Sequence, residues 1–147
     1  MFEIVFTREI NAPIATVWHV IVDTAAYPHW NPFITECEST FELGSKIRMR
    51  VNFGSSERIQ TEYISANRAP ELLAYGMKPI PFLLASTRQH RLAALDDATT
   101  KYESYFQLRG ALAPAVKLSL GKKMLRGFSQ MTDGIARQAE LRHQEKN

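Results

Sequence analysis

From Val116 to Ala139 the residues Val116, Leu120, Met124, Phe128, Met131, Ile135 and Ala139 recur at four- and three-residue intervals. That spacing draws one apolar stripe down a single helix of about seven turns. Pro114 suits a first helical turn, and the pattern runs on to about His143. At roughly 1.5 Å per residue the helix spans about 45 Å, comparable to a whole small domain. A rod of that length with one apolar side has to lie across another layer, and the rest of the chain must supply it.

The preceding residues read as a sheet. Phe2, Ile4, Phe6 and Ile10 share one parity while Glu3, Thr7 and Glu9 share the other, the period-two signature of a strand with one buried face. Asn11 is placed to cap a short helix, with Pro13 near its first turn, Ile14, Val17, Trp18, Ile21 and Val22 on one side, and an end near Asp23. Six more strand-like runs follow: Ile34 to Leu43, Lys46 to Phe53, Arg58 to Ser65, Leu72 to Met77, Leu83 to Leu95 and Thr99 to Arg109. The breaks between them carry turn residues, such as Leu43-Gly44-Ser45, Lys78-Pro79-Ile80-Pro81 and Asp96-Asp97-Ala98, and links this short imply an antiparallel meander. Ile47, Met49, Val51 and Phe53 alternate with Lys46, Arg48, Arg50 and Asn52, so one face of the sheet is dry and the other wet.

Between the short helix and the second strand stands Tyr27-Pro28-His29-Trp30-Asn31-Pro32-Phe33. Proline fixes φ and removes a donor, so this stretch predicts a structured corner rather than a regular helix or a central strand. Gly121, Gly127 and Gly134 interrupt the long helix, each at a cost of about 1 kcal/mol relative to alanine. Gly127 and Gly134 lie nearly on one side, where they permit close approach of the sheet, leave room for a ligand, or are a loss that packing offsets.

Composition bounds the function classes. At 147 residues with 45% apolar side chains the chain fits one domain, 1–147, with a sizeable core. Glu3 and Arg8 stand where a secretory signal needs an apolar run, and no stretch reaches the eighteen or so apolar residues of a membrane span, so a cytoplasmic protein is expected. The single cysteine, Cys37, excludes an internal disulfide and argues against a cysteine-built zinc site. His19, His29, His90 and His143 lack metal-ligand spacing, and there is no phosphate loop and no nucleophile elbow, so neither a metal nor another cofactor is expected. A net charge of +3 is too mild to imply nucleic acid. The charge is concentrated, however: Lys117 to Lys146 holds seven cations against three acids. Such a helix face either contacts an anionic membrane or an acidic partner, or is simply the solvated side of a helix.

The order of elements and the local motifs together carry a resemblance. The matching residues are Ala12-Pro13 with Val17-Trp18 and Asp23, Tyr27-Pro28, Trp30-Asn31-Pro32-Phe33 and Gly44. Pro70 with Leu73 and Tyr75, Gln89-His90-Arg91-Leu92, the run from Phe106 to Pro114, and Gly127-Phe128 with Met131 and Glu140 continue the match. Over nearly its whole length the chain resembles the START-like (SRPBCC) superfamily, within it the branch described as polyketide cyclase/dehydrase and lipid transport. The resemblance implies an α+β helix-grip fold like that of the birch pollen allergen. A curved seven-stranded antiparallel sheet would wrap the long C-terminal helix, with two short helices between strands one and two. Many relatives carry a His and one or two Glu in the closing strand, where this chain reads Tyr102-Glu103-Ser104-Tyr105-Phe106-Gln107, so no catalytic role comes over with the match.

In such a fold the space between sheet and helix is either filled by side chains or left as a pocket. Strand parity and the helical stripe point Met49, Val51, Phe53, Leu73, Tyr75, His90, Leu92, Ser104, Phe106, Met124, Phe128 and Met131 inward. Arg88 shares the parity of His90 and is placed either to hold a ligand oxygen or to pair with an acid at a rim. His90 is the candidate acid–base residue, against its more ordinary role as a hydrogen-bonded core histidine. Trp30, the Pro79-Ile80-Pro81 loop and the N-terminal half of the long helix are expected to control access. The reading that follows is a binder or carrier of a small hydrophobic molecule, lipid or polyketide-like, monomeric or homodimeric. The alternatives are a cyclase or dehydratase that uses His90, or a protein-interaction module.

Overall fold

The computed structural model describes residues 1–146. Strand β1 (Phe2–Ile10) leads into helix α1 (Ile14–Val22), a 3₁₀ turn (Thr24–Ala26) and a one-turn helix α2 (Tyr27–Trp30). Strands β2 (Ile34–Ser39), β3 (Lys46–Asn52), β4 (Glu57–Arg68), β5 (Leu72–Gly76), β6 (Ala85–Asp96) and β7 (Thr99–Arg109) then form a meander before helix α3 (Ala113–Glu145). All pairings are antiparallel, in the order β1-β7-β6-β5-β4-β3-β2. The first strand joins the last, with Phe2 opposite Leu108 and Ile10 opposite Thr100. Register breaks at Ile34/Glu36, Ile64/Ala66 and Ala94/Asp96 add local bends that help the sheet curl, giving the helix-grip arrangement.

Two local expectations are corrected. Tyr27–Trp30 does form a turn of α-helix, because Pro28 falls in its first turn, where the missing N–H would have had no partner. The corner proper begins one residue later: the side-chain carbonyl of Asn31 accepts from the N–H groups of Phe33 (3.1 Å) and Ile34 (2.9 Å). Asn11 does not cap α1, whose N-cap is Pro13 with no side-chain bond. The backbone N–H of Asn11 instead donates to Glu140 on α3, at 3.0 Å.

The helical glycines admit the aromatic corner rather than a strand or a ligand. A β-carbon on Gly127 would collide with the ring of Phe33, and one on Gly134 would lie 2.8 Å from the ring of Trp30. The corner thereby fastens the start of β2 onto α3.

The apolar stripe of α3 has two fates. Met131, Ile135 and Ala139 are fully buried, whereas Val116, Leu120 and Met124 are only half-buried. Helix α1 explains the difference. Its buried Val17, Val20 and Ile21 join the core at the end where Arg142 of α3 pairs with Asp23 (2.9 Å), and nine residues cannot reach the other end. The sheet is too wide for α3 alone to cover, so a gap remains beside the N-terminal half of α3.

Candidate functional site

That gap is a cavity of about 190 Å³. An apolar cavity of about 150 Å³ already admits benzene, so a guest of one or two rings fits. Met49 and Val51 of β3 and Phe53 just beyond it, Tyr75 of β5, Arg88 of β6, Phe106 of β7, and Met124, Phe128 and Met131 of α3 all stand on its wall. Strand register assembles them: Tyr75 lies opposite Arg88, and Arg88 opposite Phe106.

Five expected residues stand elsewhere. Leu73 and Leu92 are packed into the solid end of the core, because the cavity stops at the level of Arg88 and they lie farther along their strands. Trp30 is held on Gly134 and edge-on to Tyr27, ring centres 5.2 Å apart, so it does not gate the cavity. Ser104 lies behind the wall, its Oγ taking a hydrogen bond of 2.5 Å from Arg88. His90 is fully buried between two tyrosines: Tyr75 Oη is 3.1 Å from Nε2 and Tyr102 Oη is 2.7 Å from Nδ1. Burial, with the positive charge of Arg88 second, holds its pKa well below the usual histidine range. A neutral imidazole with both nitrogens bonded has no free site for a substrate proton, so this geometry favours the core role over the acid–base one.

Arg88 is the charged centre of the site. Its side chain reaches the apolar interior with only 3% exposure, over the ring of Phe128 at 4.7 Å. Besides Ser104, its acceptors are the carbonyls of Gln89 and Tyr105 at 3.5 Å, and the Met131 sulfur at 3.7 Å from Nη2. No carboxylate stands at ion-pair distance among the described residues. A guanidinium cannot shed its proton, and burying it without an anionic partner is costly.

Sequence reasoning missed the polar wall. Arg58, Gln60 and Glu62 of β4 also line the cavity, along with Phe33, Ile34, Met77, Leu84, Ser86, Leu108, Val116 and Leu120. Glu62 accepts from Gln60 Nε2 at 3.3 Å. Burial raises its pKa, while the Gln60 hydrogen bond and the charge of Arg88 act against the rise. Hydrophobic parity is silent on a strand whose inward face is polar. The pairing of Met49 with Gln60 and Val51 with Arg58 is the signal that would have found it. Cys37, on β2 opposite Met49, is half-buried, and burial pushes its thiol up to about 12, so it is not a ready nucleophile. Among the described residues, no three or more His, Cys, Asp or Glu gather in a way that would hold a metal ion, and no helix is long and apolar enough to cross a membrane.

Several solved structures share the architecture. The Zhui aromatase/cyclase from Streptomyces sp. R1128 superimposes with a TM-score of 0.74 at 18% identity, covering 96% of this chain and 94% of that one. A norcoclaurine synthase point mutant from Thalictrum flavum, in complex with a transition-state analogue, gives 0.73 at 14% identity, covering 97% and 96%. A START superfamily protein from Mycobacterium smegmatis gives 0.68 at 17% identity, covering 99% of each chain. At such identities these likenesses concern the fold. No curated protein sequence matches the chain. The family model described as polyketide cyclase/dehydrase and lipid transport matches residues 1–140, and the chain belongs to that family.

Proposed function

We propose that the protein binds a small hydrophobic molecule with one oxygen-bearing, preferably anionic, end. Apolar walls supply affinity at about 25 cal/mol for each Å² of ligand surface removed from water. The four cavity methionines adapt to an irregular guest. The observation that carries the reading is Arg88, a buried cation on the cavity wall whose hydrogen-bond partners among the described residues are all neutral. A carboxylate, phenolate or enolate oxygen would provide the charge-assisted bonds that the protein lacks. Native mass spectrometry of protein purified from its own host, with a panel of aromatic and aliphatic acids titrated in parallel, tests this. The reading expects a retained or added small molecule, and fails if nothing binds across the panel.

A second reading, an enzyme of cyclase or dehydratase type, is favoured by Glu62. A carboxyl group whose pKa is raised by burial, on the same cavity wall as a guanidinium, is suited to accept a proton from carbon while Arg88 holds the resulting enolate oxygen. Solvent deuterium exchange into a bound 1,3-diketone, lost in Glu62→Gln with binding retained, would support it. Equal exchange in both proteins would exclude it.

A further inference from the structure

The edge of the cavity has an unusual surface. Phe82 is 95% exposed and Leu118 90% exposed, with Ile80, Leu83, Leu112 and Leu125 also open to solvent. Phe82 has φ 65°, a left-handed conformation that a bulky side chain rarely adopts, so the chain accepts backbone strain to present an exposed ring. These residues belong to connected segments. The N–H groups of Ala111 and Leu112 donate to the carbonyls of Phe82 (3.0 Å) and Leu83 (2.9 Å), tying the β5–β6 loop to the turn that starts α3. Leu118 and Leu125 lie seven residues apart, hence on one side of that helix, away from the stripe that faces the cavity. Leu84, Val116 and Leu120 of the same segments line the cavity itself.

The charges that these segments themselves carry have one sign. Lys78, Arg109, Lys117, Lys122, Lys123 and Arg126 fall in these segments, and no Asp or Glu occurs between positions 72 and 95 or between 104 and 132. Among the described residues, none of the six has a carboxylate at ion-pair distance. The acids of α3 lie farther along, where Asp133 pairs with Arg8 and Glu140 accepts from Asn11. Individually projecting apolar side chains among lysines are poorly suited to a flat protein interface. They suit a bilayer, where each enters the headgroup boundary and the cations meet acidic headgroups.

We propose that this end of the molecule docks on the surface of an anionic phospholipid bilayer, with Phe82 and Leu118 inserted and the lysines of the first half of α3 against the headgroups. The segments that contribute Leu84, Val116 and Leu120 to the cavity wall would then lie at the membrane surface, giving a hydrophobic guest a short path between the two.

Co-sedimentation with vesicles of phosphatidylcholine alone, and of phosphatidylcholine mixed with phosphatidylglycerol, tests the proposal. Wild-type protein is expected to sediment with the mixed vesicles only, and to be released by added salt. Phe82→Gly with Leu118→Gln should lower the partition coefficient by about tenfold or more. Glycine accepts the backbone conformation at 82, and circular dichroism checks that the fold is kept. Lys122→Gln and Lys123→Gln should each lower binding about fivefold, while Leu141→Gln, at the far end of α3, leaves it unchanged. Absence of binding to the mixed vesicles, or binding indifferent to Phe82 and Leu118, overturns the proposal. So does a dimer in sedimentation velocity that the same pair of substitutions dissolves, since a second copy would then cover these residues. No cavity ligand enters the assay, so its failure leaves the ligand-binding reading intact.

Discussion

Arg88 and Phe128 meet at the inner end of the cavity, the guanidinium carbon 4.7 Å from the ring centre, and among the described residues the shortest hydrogen bond of that guanidinium goes to the hydroxyl of Ser104. The ring and the hydroxyl hold the cation in place without neutralising it. Its charge is left for whatever enters.

Arg88→Met keeps an unbranched stem while removing the guanidinium and its charge. With 2-naphthoic acid as probe, calorimetry should show affinity falling about tenfold or more, the range of a lost charge-assisted hydrogen bond. The methyl ester of the same acid should lose far less. Equal losses for acid and ester would mean that Arg88 shapes the cavity without reading charge. In the empty protein the same substitution should leave stability unchanged or raised, because a buried cation without an anionic partner is removed.

The helix glycines give a prediction of opposite signs. Gly127→Ala forces a methyl group into the ring of Phe33 and should cost about 1–3 kcal/mol, outweighing the better helix propensity of alanine. At Gly121 the nearest atom to an added β-carbon is the flexible Lys117 Cγ at 3.4 Å, so Gly121→Ala should gain about 0.5–1 kcal/mol. Urea denaturation distinguishes the two. A stabilised Gly127→Ala would show that the corner is free to move off the helix.

His90 makes stability depend on pH. Its folded pKa is lowered by burial and then by Arg88, so the unfolded chain binds the proton more readily. Its stabilising contribution is therefore fully present above the unfolded value near 6.5 and is lost as pH falls below it, by up to about 1.4 kcal/mol per pH unit until the folded pKa is reached. Glu62, whose folded pKa is raised, acts with the opposite sign at lower pH. The difference between wild type and His90→Gln therefore isolates the histidine. Unfolding free energies at pH 7 and pH 5 should diverge more in wild type; parallel curves would contradict a neutral, fully bonded imidazole.

The strands Phe2–Ile10 and Thr99–Arg109 were legible in the sequence, the first from its alternating parity and the second from the turn residues Asp96-Asp97-Ala98 before it and Gly110 after it. The parity of β3 likewise identified Met49 and Val51 as cavity residues. Periodicity could not say where along the concave face the hollow lies. Leu73, His90 and Leu92 share the facing of Tyr75 and Arg88, but α1 and the tyrosine pair around His90 fill that end. The inward face of β4 was invisible for a different reason: Arg58, Gln60 and Glu62 look like a solvated strand until pairing with β3 turns them inward. The helix glycines carried a signal of close approach, but that Phe33 and Trp30 are what approaches follows only from the fold.

Met49, Met77, Met124 and Met131 line the cavity, while Met1, the one other methionine, is exposed at the start of β1. Methyl spectra of ¹³C-methionine-labelled protein, titrated with 2-naphthoic acid and a panel of hydrophobic acids, therefore observe the hollow from its own walls. Binding in the cavity predicts that the four wall methyl signals shift together and saturate at one common affinity while that of Met1 stays still. Wall signals that stay fixed across the panel, or a shift confined to Met1, would contradict an interior open to a guest.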